Sequence, residues 1–204
     1  MSVLYPIKDA QSAMKAGVSN ESDWLVMEDV HRGTHAVLIT ERGTVFVDVD
    51  GTVADLKHRR KYVQSKPKNY PAFERGIPDD TPIQWVIDAV DVLYKAGWKV
   101  VICTGRRETQ GDATKKWLAE NGVKFHAFYI RPEFEYNEDG SVKLSRRGNP
   151  LPDYRHDYII KAELLAQARA DGFNPDVVFD DRDQVVAMWR ENGIPVVQTA
   201  EGDF

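Results

Sequence analysis

The stretch VFVDVDGTVAD, residues 45–55, starts as a buried strand and ends as something else. Val45, Phe46 and Val47 suit the interior of a sheet. Asp48, Asp50, Gly51 and Thr52 follow with no spacer. Two readings compete at this point. The carboxylates cap a turn, since Asp, Gly and Thr are ordinary turn residues, or they are the reactive end of an enzyme. The rest of the chain decides between them.

Downstream, apolar strand-like runs alternate with helical patterns. TVFVDVD (44–50), KVVICTG (99–105), KFHAFYI (124–130), DVVFDD (176–181) and IPVVQTA (194–200) read as strands. Between the first two, Ile83, Val86, Ile87, Val90 and Leu93 recur at helical spacing. Residues 112–122, 156–172 and 182–193 read as further helices, each ending in glycine. Strands alternating with helices predict an α/β fold, a Rossmann-like parallel sheet covered on both faces. Continuous apolar strands fit that burial. Such sheets bind ligands beyond the carboxyl ends of their strands. Three polar clusters fall there: Asp48 with Asp50, then Thr104, Gly105 and Arg106, then Asp180 with Asp181. Coincidence explains one such cluster well and three poorly.

Three segments break the alternation. Residues 1–43 form an extension of unassigned role. In it a helix is expected over 7–18, and a strand over 34–40 pairs as a hairpin with 44–50. The domain proper is expected over 44–204. Its polar segment 56–80 is placed to overhang the strand ends. Residues 132–152 read as a small hairpin insertion turning at NEDGS.

The composition sets limits. With 204 residues and 42% apolar content a packed core is expected. The net charge of −5 is unlike a uniformly basic nucleic-acid binder, so any polynucleotide contact needs a local basic patch. Cys103 is the single cysteine, which excludes an internal disulfide and fits a buried core thiol. There is no basic-then-apolar start and no apolar run near 18 residues. A cytoplasmic protein without a membrane role is the expectation.

Two carboxylates as close as Asp48 and Asp50 repel each other unless a cation or a shared proton relieves them. Mg²⁺ fits all-oxygen ligands and pairs with phosphate, and Asp180 and Asp181 complete an acidic site. One carboxylate then attacks phosphorus and a second protonates the leaving oxygen. Thr104 and Gly105 offer a hydroxyl and an amide to a phosphate oxygen. Lys161, four residues after Asp157 on one helix face, offers positive charge, although a lone helix lysine is ordinarily only solvated.

DVDGT (48–52), CTGR (103–106), Lys161 and FDDRDQ (179–184) resemble, in order and spacing, the four motifs of the haloacid-dehalogenase (HAD) superfamily. The resemblance covers 44–204. It implies an Mg²⁺-dependent phosphatase with an aspartyl-phosphate intermediate. Asp48 would be the nucleophile and Asp50 the general acid/base, which argues against a dehalogenase. Thr104 and Lys161 would hold the phosphate. The metal would sit on Asp48, the Asp50 carbonyl and Asp181, with Asp180 beside it. The C-terminal run from Phe179 and the helix start DYRHDYIIKAELL (153–165) resemble the 3′-phosphatase domain of phage polynucleotide kinase/phosphatase. That resemblance adds Arg59, Arg106 and Asp157 to Gly105 as substrate-binding candidates, with a phosphorylated nucleic-acid end or a nucleotide as substrate.

The sequence carries no G-x-x-x-x-G-K-[ST] phosphate loop. The 132–152 insertion either narrows the site to small substrates or adds strand contacts through Lys143, Arg146 and Arg147. Tyr70, Phe73, Phe134 and Tyr136 either stack on a base or pack a cap, and Trp85, Trp98, Trp117 and Trp189 read as packing residues. Two rivals stand beside a polynucleotide 3′-phosphatase: a nucleotidase-like small-molecule phosphatase, and a catalytically silent binding module. The sequence leaves the oligomeric state open.

Overall fold

The computed structural model describes residues 43–64 and 66–202, residues 11 and 15, and the backbone of three earlier strands. The expected helix over 7–18 otherwise lies outside the described residues. Strands β1 (Leu4–Pro6), β2 (Trp24–Asp29) and β3 (Gly33–Leu38) form an antiparallel sheet of their own, in the order β1-β3-β2.

The main sheet has five strands: β4 (Thr44–Val47), β7 (Lys99–Arg107), β8 (Ala127–Arg131), β9 (Val177–Arg182) and β10 (Val196–Gly202). Their order is β10-β9-β4-β7-β8 and every pairing is parallel. All five sequence-expected strands of the sheet are present. The expected hairpin between 34–40 and 44–50 is not. Both edges of β4 are taken by β7 and β9, and β3 pairs with β1 and β2 instead.

Alternation of side chains along each strand separates two cores. Val45, Val47, Val100 and Ile102 face α3 (Gln84–Lys95) and α4 (Gly111–Glu120), which bring Val86, Ile87, Val90, Trp117 and Leu118. Phe46, Val101 and Cys103 face α5 (Asp157–Ala170) and α6 (Asp183–Glu191), through Ile160, Leu164, Leu165, Val185 and Trp189. Burial pushes the Cys103 thiol up to about 12, so it stays protonated as a core group. Trp98 is partly buried and Trp117 and Trp189 are packed inside. Trp85 departs from the expectation, being 53% exposed. The inward arc of α3 runs through 86, 87 and 90, and residue 85 falls outside it.

The chain leaves β4 toward β7 and β8 and later returns on the other side to β9 and β10. The strand order therefore reverses at β4, and the crevice beyond its carboxyl end is where such folds place ligands. Segment 56–80 contains α1 (Lys57–Gln64), α2 (Tyr70–Arg75) and a 3₁₀ turn (Ile77–Asp79). Its ends are tied by the two-residue pair β5 (Ala54–Asp55) and β6 (Thr81–Pro82). The insertion is more than one hairpin. Bridges Tyr136↔Val142, Leu144↔Pro150 and Phe134↔Pro152 fold it into three short legs with two turns. Among the described residues, no helix is long and apolar enough to cross a membrane.

Candidate active site

At the end of β4 the Asp48 N–H donates to the Phe179 carbonyl of β9 at 3.0 Å, which draws the two strand ends together. Oxygen atoms of Asp48, Asp180 and Asp181 consequently lie within 4.8 Å of one another. Lys161, from the second turn of α5, places Nζ 2.8 Å from Asp48 Oδ1 and 2.7 Å from Asp180 Oδ2. Trp189 Nε1 donates to the same Asp180 oxygen at 3.0 Å. All four charged groups are buried, so three carboxylates face one ammonium. Burial, reinforced by Asp180 and Asp181, raises the Asp48 carboxyl well above its usual range against the pull of Lys161. Burial and Asp180 push Asp181 up to about 6. Burial alone would lower Lys161, but Asp180 and Asp48 hold its ammonium charged and raise it.

This cluster has room for another positive charge. Asp181 Oδ2 is buried with no hydrogen-bond partner among the described residues, an arrangement that costs free energy unless something binds it. Oxygen donors and excess negative charge fit a hard divalent cation. Gly51 makes the geometry possible. Its φ is +86°, and a Cβ there would lie 2.0 Å from Asp181 Oδ2, so both the turn and the close approach require glycine.

A second cluster adjoins the first. Asp50 Oδ1 accepts from Arg106 at 2.5 Å and Arg59 at 2.8 Å. Behind them Asp80 accepts from Arg59 at 2.6 and 2.7 Å and from Arg106 at 2.7 Å. Phe73 covers the Arg59 guanidinium at 4.2 Å. Burial would raise Asp50, but Arg106 and then Arg59 outweigh it and hold the carboxyl below its ordinary range.

A third set ties the strand ends together. Asp157, at the start of α5, accepts from Arg131 of β8 on one oxygen and from Arg182 of β9 on the other. Arg131 also donates to the Gly105 carbonyl at 2.9 Å. A Cβ on Gly105 would meet Asp157 Oδ1 at 2.7 Å. The register of β7 against β8 shifts between Thr104 and Arg107, and Arg106, inside this irregular stretch, reaches Asp50.

These groups surround one cleft of about 440 Å³. Asp48, Asp50, Gly105, Arg106, Asp157, Lys161 and Asp181 line it. Thr104, Arg59 and Asp180 stand buried behind the lining. The Thr104 hydroxyl accepts from the Arg106 N–H at 3.2 Å, and Arg59 reaches Asp50 and Asp80. Segment 56–80 does overhang the site, contributing Arg60, Lys68, Tyr70 and Phe73 to the walls. Phe134, Tyr136, Lys143, Arg146 and Arg147 are outside the lining, and Lys143 pairs with Glu135 at 3.2 Å. Eight basic side chains against six acidic ones line the cleft, which makes it a local basic site in a chain of charge −5.

Sequence reasoning missed Asp80, Arg131 and Arg182. Arg131 and Arg182 end strands as Asp48 does, so the strand-end rule was sufficient to find them. Asp80 had no such signal.

The fold and site define a class, the HAD-like hydrolases. One from Streptococcus pneumoniae shares the fold over 77% of this chain and 84% of its own, at 14% identity and a TM-score of 0.50. The chain belongs to the family of the polynucleotide kinase PNKP phosphatase domain, whose model matches residues 42–204. It is therefore a phosphatase, a phosphoric monoester hydrolase. A chain in the structure of the Pnkp1/Rnl/Hen1 complex is 26% identical with a TM-score of 0.60, matching 81% of this chain and 48% of its own length. A protein of Autographa californica nuclear polyhedrosis virus, described as a bifunctional polynucleotide kinase/RNA ligase, is 27% identical over 161 residues. The match covers 78% of this chain and 20% of the viral protein. The chain thus spans about half of that solved relative and a fifth of the viral one.

Proposed function

We propose that this domain removes phosphate from the ends of polynucleotides, 3′ ends in preference, through an aspartyl-phosphate on Asp48. The observation that carries the reading is Asp48 at the floor of a basic cleft, with Lys161 on one side and Asp50 two residues away. The family supplies the polynucleotide context.

Asp48 attacks phosphorus while the bond to the leaving oxygen breaks, and Asp50 gives that oxygen a proton. Water then attacks phosphorus, the aspartyl-phosphate bond breaks and Asp50 takes the water's proton. Asp50 is an ionised carboxylate in the free protein. The proton it gives in the first step is therefore taken up from solvent as the substrate binds, and the proton it takes from water in the second step restores it. A phosphate arriving beside it raises its proton affinity by like-charge repulsion, which prepares the first. Lys161, the Gly105 amide and Arg106 hold phosphate oxygens, and Thr104 supports that loop. Asp48, Asp181 and the Asp50 carbonyl, with Asp180 beside them, would hold Mg²⁺, which when bound neutralises phosphate charge.

A substrate panel under Mg²⁺ tests the reading. Phosphate release is expected to be fastest from a 3′-phosphorylated oligonucleotide. Slower release is expected from its 5′-phosphorylated counterpart, from mononucleotides and from sugar phosphates. No release from the 3′ end would rule the assignment out.

The metal role has its own test. Asp181 is held at about 6 in the metal-free protein, against an ordinary 3.8. The folded state thus binds more protons than the unfolded one between these values, and stability falls as pH rises from about 4 through 6. Mg²⁺ offsets the exposed repulsion and competes with the proton. The rise in melting temperature on adding Mg²⁺ is expected to be small at pH 5 and clearly larger at pH 7.5. Thermal denaturation with Mg²⁺ and with chelator measures it, and equal shifts at both pH values would count against a metal on these acids.

A further inference from the structure

We infer that Tyr70, Tyr154 and Arg107 form a nucleobase clamp at the mouth of the cleft, which holds the base of the nucleotide whose phosphate meets Asp48; this rests on the polynucleotide-end reading above. Tyr70 opens α2 on the overhanging segment, and Tyr154 follows the three-legged insertion. Both rings line the cleft. They meet across it with centroids 6.3 Å apart and planes 40° apart.

Neither ring is buried in the core. Tyr70 is 38% exposed and Tyr154 is 62% exposed, so both leave apolar area in water that a ligand face would cover. Phe73, one turn on from Tyr70, is different. It is committed to Arg59 at 4.2 Å and belongs to the support of Asp50. The Arg107 guanidinium lies 4.5 Å from the centre of the Tyr154 ring, close enough for a cation–π contact. Arg107 is itself drawn to Glu133 at 3.6 Å, which keeps the cation against one face of Tyr154. The Lys68 ammonium is 6.0 Å from the Tyr70 ring, placed for a neighbouring phosphodiester.

Two aromatic rings beside cations, at the rim of a site that takes a phosphate, match the way single strands are gripped: bases on rings and backbone on positive charge. Tilted at 40°, the rings touch each other rather than sandwich a third, so a base enters by swinging the more exposed Tyr154 outward. Because every base has a π face, the clamp distinguishes a base from none and is nearly indifferent to which base it is.

The experiment compares two oligonucleotides. One carries its 3′-phosphate on an ordinary terminal nucleotide, the other on a terminal residue without a base. Wild type is expected to show a KM lower by about tenfold to a hundredfold for the base-bearing end, the scale of one stacked base. In the Tyr70→Ala, Tyr154→Ala double variant that ratio is expected to collapse toward one. Tyr154→Phe is expected to keep it, since the ring and not the hydroxyl does the stacking. A double variant that keeps the wild-type ratio overturns the clamp. A binding measurement separates this from the catalytic reading. Fluorescence anisotropy of a labelled single-stranded oligonucleotide on the Asp48→Asn protein, with and without the two tyrosines, reads the clamp alone. Affinity that depends on the tyrosines supports it even if the wild-type enzyme releases no phosphate from 3′ ends, and that second result would sink only the substrate assignment. Affinity indifferent to the tyrosines overturns the clamp.

Discussion

Asp48→Asn is expected to lower phosphate release by at least about 10⁴-fold, because an amide oxygen cannot replace a carboxylate that must bond to phosphorus. The same change is not expected to unfold the protein. Asp48 sits among Asp180 and Asp181, with Lys161 as the single ammonium in contact among the described residues. Removing one charge leaves Lys161 its bond to Asp180 and reduces the repulsion among the buried acids. In the absence of metal the melting temperature should therefore hold or rise, while the stabilisation by added Mg²⁺ should shrink. A structural role for Asp48 would make stability and turnover fall together. Single-turnover phosphate release, alongside thermal melts with and without Mg²⁺, distinguishes the two cases. Turnover within tenfold of wild type would remove Asp48 as the nucleophile.

The parallel sheet was legible because its inner strands β4, β7 and β9 are largely buried, so continuous apolar runs mark them. The partly buried edge strands β8 and β10 fall into the same alternation with helices. The strand ends were legible for a related reason: an acid directly after such a run is expensive unless it is used. Thus Asp48, Asp180 and Asp181 could be placed together from spacing. Helix α1 was not legible. KHRRKYVQ has no apolar periodicity, and the residue it buries is Arg59. A helix organised around a buried guanidinium reads in sequence as a solvated basic run. The separate pairing of β3 was hidden because a short glycine-containing turn before β4 favours a local hairpin. What prevents it is non-local, the claim of β7 and β9 on both edges of β4. Asp80 was hidden most completely. It follows a 3₁₀ turn in IPDDTP, a context in which an acid normally faces water, and only the tertiary fold carries it beneath Arg59 and Arg106.

Asp80→Ala is accordingly expected to have the largest effect on stability. The Arg59, Arg106 and Asp80 side chains are all 1% exposed or less, and Asp50 is 28% exposed. Two cations and two anions balance in the wild type. Without Asp80, two buried guanidinium groups share Asp50 alone. Removing one partner from a buried ion pair costs about 3–5 kcal/mol, which for a domain of this size lowers the melting temperature by roughly 10 °C. Catalysis should fall as well, because the surplus positive charge drives Asp50 further from the protonated form that must meet the leaving oxygen. The cost arises from orphaned charge rather than lost volume, and this makes a sharper expectation. Adding Arg59→Met to Asp80→Ala restores the balance to one cation and one anion. The double variant should then be more stable than Asp80→Ala by itself, a non-additivity of about 1–3 kcal/mol. Denaturant unfolding of the wild type, both single variants and the double variant measures the cycle. If the two costs simply add, the four groups are neighbours and not a charge-balanced unit. If they fail to add in the expected direction, Asp80 is the residue that lets two buried arginines stand behind Asp50.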